Sequence, residues 1–144
     1  MNRAENTHAE LHAVLESWRS AVRASDLAGI TAHYSRDILA FDAAKQLQFR
    51  GLEAYGRHWQ ECLQMYTQDT FDIHQLSFES SGDIAFGHYL AYCGGTGEDG
   101  VHNAAWSRVT VCLRHESGQW KIVHEHFSIP FDLATGKALF DARP

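Results

Sequence analysis

Apolar residues recur at Leu11, Leu15, Trp18 and Val22, spaced by four, three and four, which predicts an amphipathic helix over about Thr7–Ser25. Ser25 and Asp26 supply a break and a cap, and Asp26 can start a second, short helix with Leu27, Ile30 and Tyr34 on its apolar face. Two extended pieces follow, Ile38–Asp42 and Leu47–Arg50, joined by the polar link Ala43–Gln46. Beyond Gly51 the helical period returns at Leu52, Tyr55, Trp59, Leu63 and Tyr66. The texture then changes to period two in Phe71–Leu76, Ile84–Cys93, Ala105–Leu113 and Trp120–Phe127. The glycine-rich stretch Gly94–Gly100 and the pair Ser117-Gly118 separate the last three segments, so antiparallel hairpins are expected. Helices first and strands afterwards describe an α+β fold. No repeat or linker divides residues 1–144, which read as one domain, with a weakly patterned C-terminal tail over residues 130–144.

The strand Ala105–Leu113 changes that picture in one respect. Its odd positions are small or apolar (Ala105, Ser107, Val109, Val111, Leu113), and its even positions are mixed (Trp106, Arg108, Thr110, Cys112). A sheet with one wet face shows polar residues at every second place, so both faces of this strand are expected to be covered. The helices cover one face, and a second copy of the chain would cover the other, as a homodimer. Arg108 has two readings: a stem that snorkels to an edge or pairs with a carboxylate, or a cation in a cleft that binds an anionic or carbonyl group.

The 144 residues are 44% hydrophobic and 12% aromatic, enough for a packed core. A net charge of −6 argues against nucleic acid as a partner. No apolar run approaches the roughly 18 residues of a membrane span, and the first segment lacks the apolar stretch of a signal peptide. Three scattered cysteines, Cys62, Cys93 and Cys112, read as buried thiols in a reducing compartment, so a cytoplasmic location is expected. Ser-His-Asp, P-loop and dinucleotide fingerprints are all missing, which sets aside those hydrolase, kinase and Rossmann chemistries.

Among candidate chemical groups, Asp42 closes an extended segment beside Phe41, where it either begins a turn or serves as a base facing a pocket. His124 and His126 sit two apart on one strand, acceptable ligand geometry, and His88, on a nearby strand, could approach them. A zinc site needs three or four ligands with supporting partners, so no metal is expected. His58, between Arg57 and Trp59 on the third helix, reads as a pocket-rim group or a surface histidine.

The run Asp26–Trp59 (a short helix ending in Tyr34, a strand ending in Asp42, then Gly51-Leu52-Glu53 opening a helix) resembles the ketosteroid isomerase branch of the nuclear transport factor 2-like superfamily. The closing segment Ser117–Pro130 is similar to the last strand of SnoaL-like proteins and of the calmodulin-dependent kinase association domain. The resemblance implies a cone-shaped fold, with N-terminal helices on a curved, mostly antiparallel sheet enclosing a pocket for a small organic molecule. It places Asp42 where the isomerases keep their catalytic base, and Tyr34 on a tyrosine of their pocket. Trp18 and Trp59 replace the oxyanion-hole tyrosine and its support, Thr110 stands for the oxyanion acid, and Phe127 rather than His126 points to the cavity. Losing one oxyanion donor costs about 10²–10³ in rate, so steroid isomerisation is not expected. The expectation is an isomerase, cyclase or hydratase working by acid–base chemistry without a cofactor. Asp42 would be its catalytic residue, and Trp18, Tyr34, His58, Trp59, Arg108, Thr110 and Phe127 would form its pocket. The alternative is a non-catalytic ligand-binding or assembly module, because the fold hosts many functions.

Overall fold

The computed structural model describes residues 2–144. Helix α1 spans Arg3–Arg23, a turn earlier than the apolar stripe alone indicates. The extension follows from a capping box: the Asn2 side chain accepts from the Glu5 amide while Glu5 accepts from the Asn2 amide. Leu11, Leu15, Trp18 and Val22 are all buried, as their spacing requires. Helix α2 (Leu27–Thr31) is capped by Asp26, whose carboxylate accepts from Gly29 N at 3.0 Å. Tyr34 does not belong to that helix, as the spacing had suggested. It opens strand β1 (Tyr34–Phe41), held there by pairing with Ile122.

Strand β2 is only Phe49–Arg50, because Leu47 stands almost wholly in solvent. Gly51, with φ at +85°, turns the chain into helix α3 (Leu52–Met65). Strands β3 (Thr70–Ser81), β4 (Ile84–Thr96), β5 (His102–Glu116) and β6 (Gln119–Ser128) then form three successive antiparallel pairs. All six strands make one sheet in the order β2-β1-β6-β5-β4-β3, and β1 with β6 is its parallel pair. Register shifts in β1/β6, β3/β4 and β5/β6 bend the strands, and the sheet is curved and open. With α1 lying on β3 and β6 and α3 on β1, this is the expected α+β architecture.

The strands run longer than their period-two cores because glycine permits close approach at one end. Gly94 and Gly95 remain in β4 instead of forming a loop. A Cβ on Gly95 would overlap the carbonyl oxygen of Thr67, whose amide donates to Thr96 O at 3.0 Å. Gly95→Ala should therefore cost more than about 2 kcal/mol through a forced backbone shift, measured as a lowered denaturation midpoint; an unchanged midpoint would refute that contact.

The concave face collects Ile38, Ala40, Phe71, Tyr89, Ala91, Ser107, Val109, Val111, Leu113, Ile122 and Glu125 against the helices. The even positions of β5 point to the other face of the sheet, away from the helices. Arg108 and Thr110 are exposed there, and Trp106 and Cys112 are half-buried. No helix of the described residues is long and apolar enough to cross a membrane.

Candidate functional site

Two polar assemblies lie beneath the helices, and they share α3. The deeper one centres on Glu125, 2% exposed. Its carboxylate accepts from Tyr34 OH at 2.7 Å and from Tyr55 OH on the same oxygen. Tyr34 in turn accepts from two indoles, Trp18 Nε1 at 2.9 Å and Trp59 Nε1 at 3.1 Å. Trp18 stands edge-on to Trp59 and Phe71, and lies against Phe127 with ring centroids 6.3 Å apart.

Burial disfavours the charged carboxylate and lifts the Glu125 pKa to about 7; its tyrosine hydrogen bonds pull it down, and Asp42 pushes it further up. Both tyrosine hydroxyls are held well above their usual range, first by burial and then by the Glu125 charge.

The second assembly lies where β1 ends. Asp42 Oδ2 meets Nε2 of His58, and Asp42 Oδ1 accepts from the Ala43 amide at 2.8 Å. The two side chains sit differently toward water, with 3% of His58 exposed against 22% of Asp42. The imidazole stacks on Phe49, ring centroids 4.1 Å apart, and its Nδ1 is buried without a hydrogen-bond partner. Burial alone would lower the His58 pKa. The hydrogen bond to Asp42, aided by Cys62, outweighs it and raises the value to about 9. One helical turn on, Cys62 Sγ lies 3.8 Å from His58 Nε2. Asp42, His58 and Cys62 are the one group of three metal-competent side chains found among the described residues.

Asp42 opens onto a surface groove of about 810 Å³ lined also by Phe41, Lys45, Leu47, Gln48 and His126. A second concavity, about 630 Å³, lies at the other end of α3 between Tyr66, Cys93, Ser107, Ile129 and Phe140. Here the C-terminal tail meets the sheet.

Of the residues singled out from sequence, Trp18, Tyr34, Trp59 and Phe127 come together in the aromatic assembly, and Asp42 and His58 in the second. Arg108 and Thr110 join neither. Inward Val109 and Val111 turn both to the opposite face, where Arg108 Nε donates to Ser128 Oγ at 3.1 Å. Thr110 therefore does not occupy an interior oxyanion position. His124 and His126 flank Phe41 rather than one another's ligand set, and His124 Nδ1 contacts Leu39 O at 2.5 Å. Glu125, Tyr55 and Cys62 were not singled out as site residues. The i,i+4 spacing of His58 and Cys62 was the legible signal for the last of these.

The SnoaL-like domain family matches residues 11–132 of the chain. Among solved structures, an NTF2-like protein of unknown function from Pseudomonas putida KT2440 is 44% identical, with TM-score 0.86 over 96% of this chain and 98% of that one. A ketosteroid isomerase-like protein from Erwinia carotovora atroseptica SCRI1043 is 19% identical, with TM-score 0.73 over 83% and 93% of the two chains. An NTF2-like protein of unknown function in nutrient uptake from Rhodospirillum rubrum ATCC 11170 is 20% identical, with TM-score 0.70 over 84% and 98%. The latter two likenesses bear on the fold alone. Comparison with curated protein sequences finds no match.

Proposed function

The chain belongs to the SnoaL-like domain family, and from that premise we propose that it binds a small organic molecule and transforms it by proton transfer at Asp42. The observation that carries this reading is the Asp42–His58 pair. It is an accessible carboxylate fronting a groove, fixed from behind by a buried imidazole. Such a carboxylate can take a proton from carbon next to a carbonyl, the step shared by isomerases, cyclases and hydratases of this kind. His58 is a positioning residue: it holds Oδ2 and balances the carboxylate charge. Trp18, Tyr34, Trp59 and Phe127 form the aromatic assembly that reaches the pair through Tyr55, which lies over Tyr34 and toward His58. Steroid isomerisation is not proposed, since the Trp18 and Trp59 indoles are spent on Tyr34 and Thr110 faces outward. A panel of small ketones, aldehydes and β-hydroxycarbonyl compounds, incubated with the protein in D₂O and followed by proton NMR, tests the reading. At least one should exchange its α-proton faster with protein than without.

One observation favours a second reading, a non-catalytic binding module. The Tyr34 hydroxyl already accepts two hydrogen bonds and gives its proton to Glu125, so it has no donor left for a substrate oxygen. Binding of panel compounds without exchange would select it.

Under either reading we place the protein in the cytoplasm, where the thiols of Cys62, Cys93 and Cys112 stay reduced. We also propose a homodimer through the outer face of the sheet, where Trp106 packs on His74 and Tyr92 beside exposed Arg108 and Thr110. Light scattering at micromolar concentration should give about twice 16.2 kDa. A mass of one chain would remove the dimer from this proposal.

A further inference from the structure

We propose that Asp42, His58 and Cys62 form a binding site for a thiophilic divalent cation of the zinc class. The three donor atoms lie within 4.8 Å of one another and come from two firmly held elements. His58 and Cys62 are four residues apart on α3, so both project from one face of the helix. Asp42 directly follows β1 opposite them and is anchored through the Ala43 amide. Zinc takes bonds of about 2.0–2.3 Å to oxygen, nitrogen and sulfur, so binding requires these side chains to rotate about a shared centre.

The donor set decides the kind of ion. One nitrogen, one sulfur and one carboxylate oxygen suit zinc, whereas magnesium and calcium take oxygen ligands. Three protein ligands leave the fourth tetrahedral position to solvent on the groove side, where Asp42 is partly exposed.

Other histidine groupings fall short. His8 and His12 approach at 3.0 Å through their Nε2 atoms, but they are two exposed donors without a third. The His124 ring is turned to the Leu39 carbonyl.

Binding replaces protons with the ion. The proton shared by His58 Nε2 and Asp42 and the proton of the Cys62 thiol both leave to solvent, and three bonds to the metal form. This site stands independently of the proton-transfer reading. Where both hold, a chain carrying the ion cannot use Asp42 as a base.

Chelator-treated full-length protein, titrated with zinc by calorimetry and with cobalt(II) by absorption, tests the inference. One zinc per chain should bind, and cobalt should show a thiolate charge-transfer band together with tetrahedral ligand-field bands. Loss of a supporting partner alone weakens metal sites by 10–100-fold, so Cys62→Ser should weaken zinc by about 100-fold or more and abolish the band. Cys112→Ser and His8→Ala should change neither. The wild-type cobalt spectrum decides the matter even if Cys62→Ser does not fold. No saturable uptake, a cobalt spectrum without the thiolate band, or loss of binding on His8→Ala would each overturn the site. Deuterium exchange by the chelator-treated protein reports on the proton-transfer reading separately.

Discussion

Stability should fall as pH rises from 4.5 to about 7, by about 3 kcal/mol, and Glu125→Gln should remove that fall. The sign follows from where the proton is held. The Glu125 pKa is raised on folding, so the native chain binds more protons than the unfolded chain across this window. Its contribution is fully present below 4.5 and is lost as pH climbs through about 7. The groups facing Glu125 are Tyr34 and Tyr55, which donate to it, and Tyr89 and Asp42, which feel its charge.

Other groups bend the profile, so the difference between wild type and variant is the quantity to read. Asp37, Glu61, Asp69 and Glu116 are held below their ordinary values by hydrogen-bonding and charged partners, and they act at the acid end. His12 and His33 are lowered by burial and oppose the trend below 6.5. Urea denaturation midpoints at several pH values supply the difference. Parallel profiles for wild type and Glu125→Gln would refute the buried-acid assignment. Glu125→Leu is a harsher change, because it leaves two buried hydroxyls without their acceptor, at about 1–3 kcal/mol each.

The fold was legible because α1, α3 and the four long strands announce themselves by period, and the order of helices then strands leaves few architectures. What failed were positions governed by partners distant in the chain. Tyr34 fits the helical spacing of Leu27 and Ile30, but its pairing with β6 draws it into a strand. Glu125 lies between His124 and His126, where simple alternation from Trp120 and Ile122 would put the histidines inside. The register shift opposite Cys112 and Leu113 reverses the phase, so Glu125 and Phe127 turn inward instead. Nothing local in the sequence marks that shift.

Strand β5 taught the opposite lesson. Its plain alternation, with Val109 and Val111 inside, already assigns Arg108 and Thr110 to the far face. The family analogy had put Thr110 in the pocket, and a reading of Arg108 as a cleft cation had put it there too; the alternation was the better guide. His58 could be noticed as a pocket-rim candidate, but its pairing with Asp42 needed α3 laid across the end of β1.

Asp42→Asn should reduce protein-dependent deuterium exchange by about 10²–10⁴-fold, the usual worth of a positioned base. Asparagine keeps the shape: its Oδ1 can still accept from the Ala43 amide, and its Nδ2–H can donate to Nε2 of a neutral His58, so folding and compound affinity should change little. The base is what it lacks. Asp42→Asn separates the two functional readings, because a binding module would show altered affinity for charged compounds and no exchange to lose. The decisive measurement is the exchange rate of the most responsive panel compound in D₂O, with chelator-treated wild type and Asp42→Asn at equal occupancy. A loss of at least about 100-fold in the variant, at similar dissociation constants, is the expected result. Equal exchange rates for the two proteins would contradict the assignment of proton transfer to Asp42.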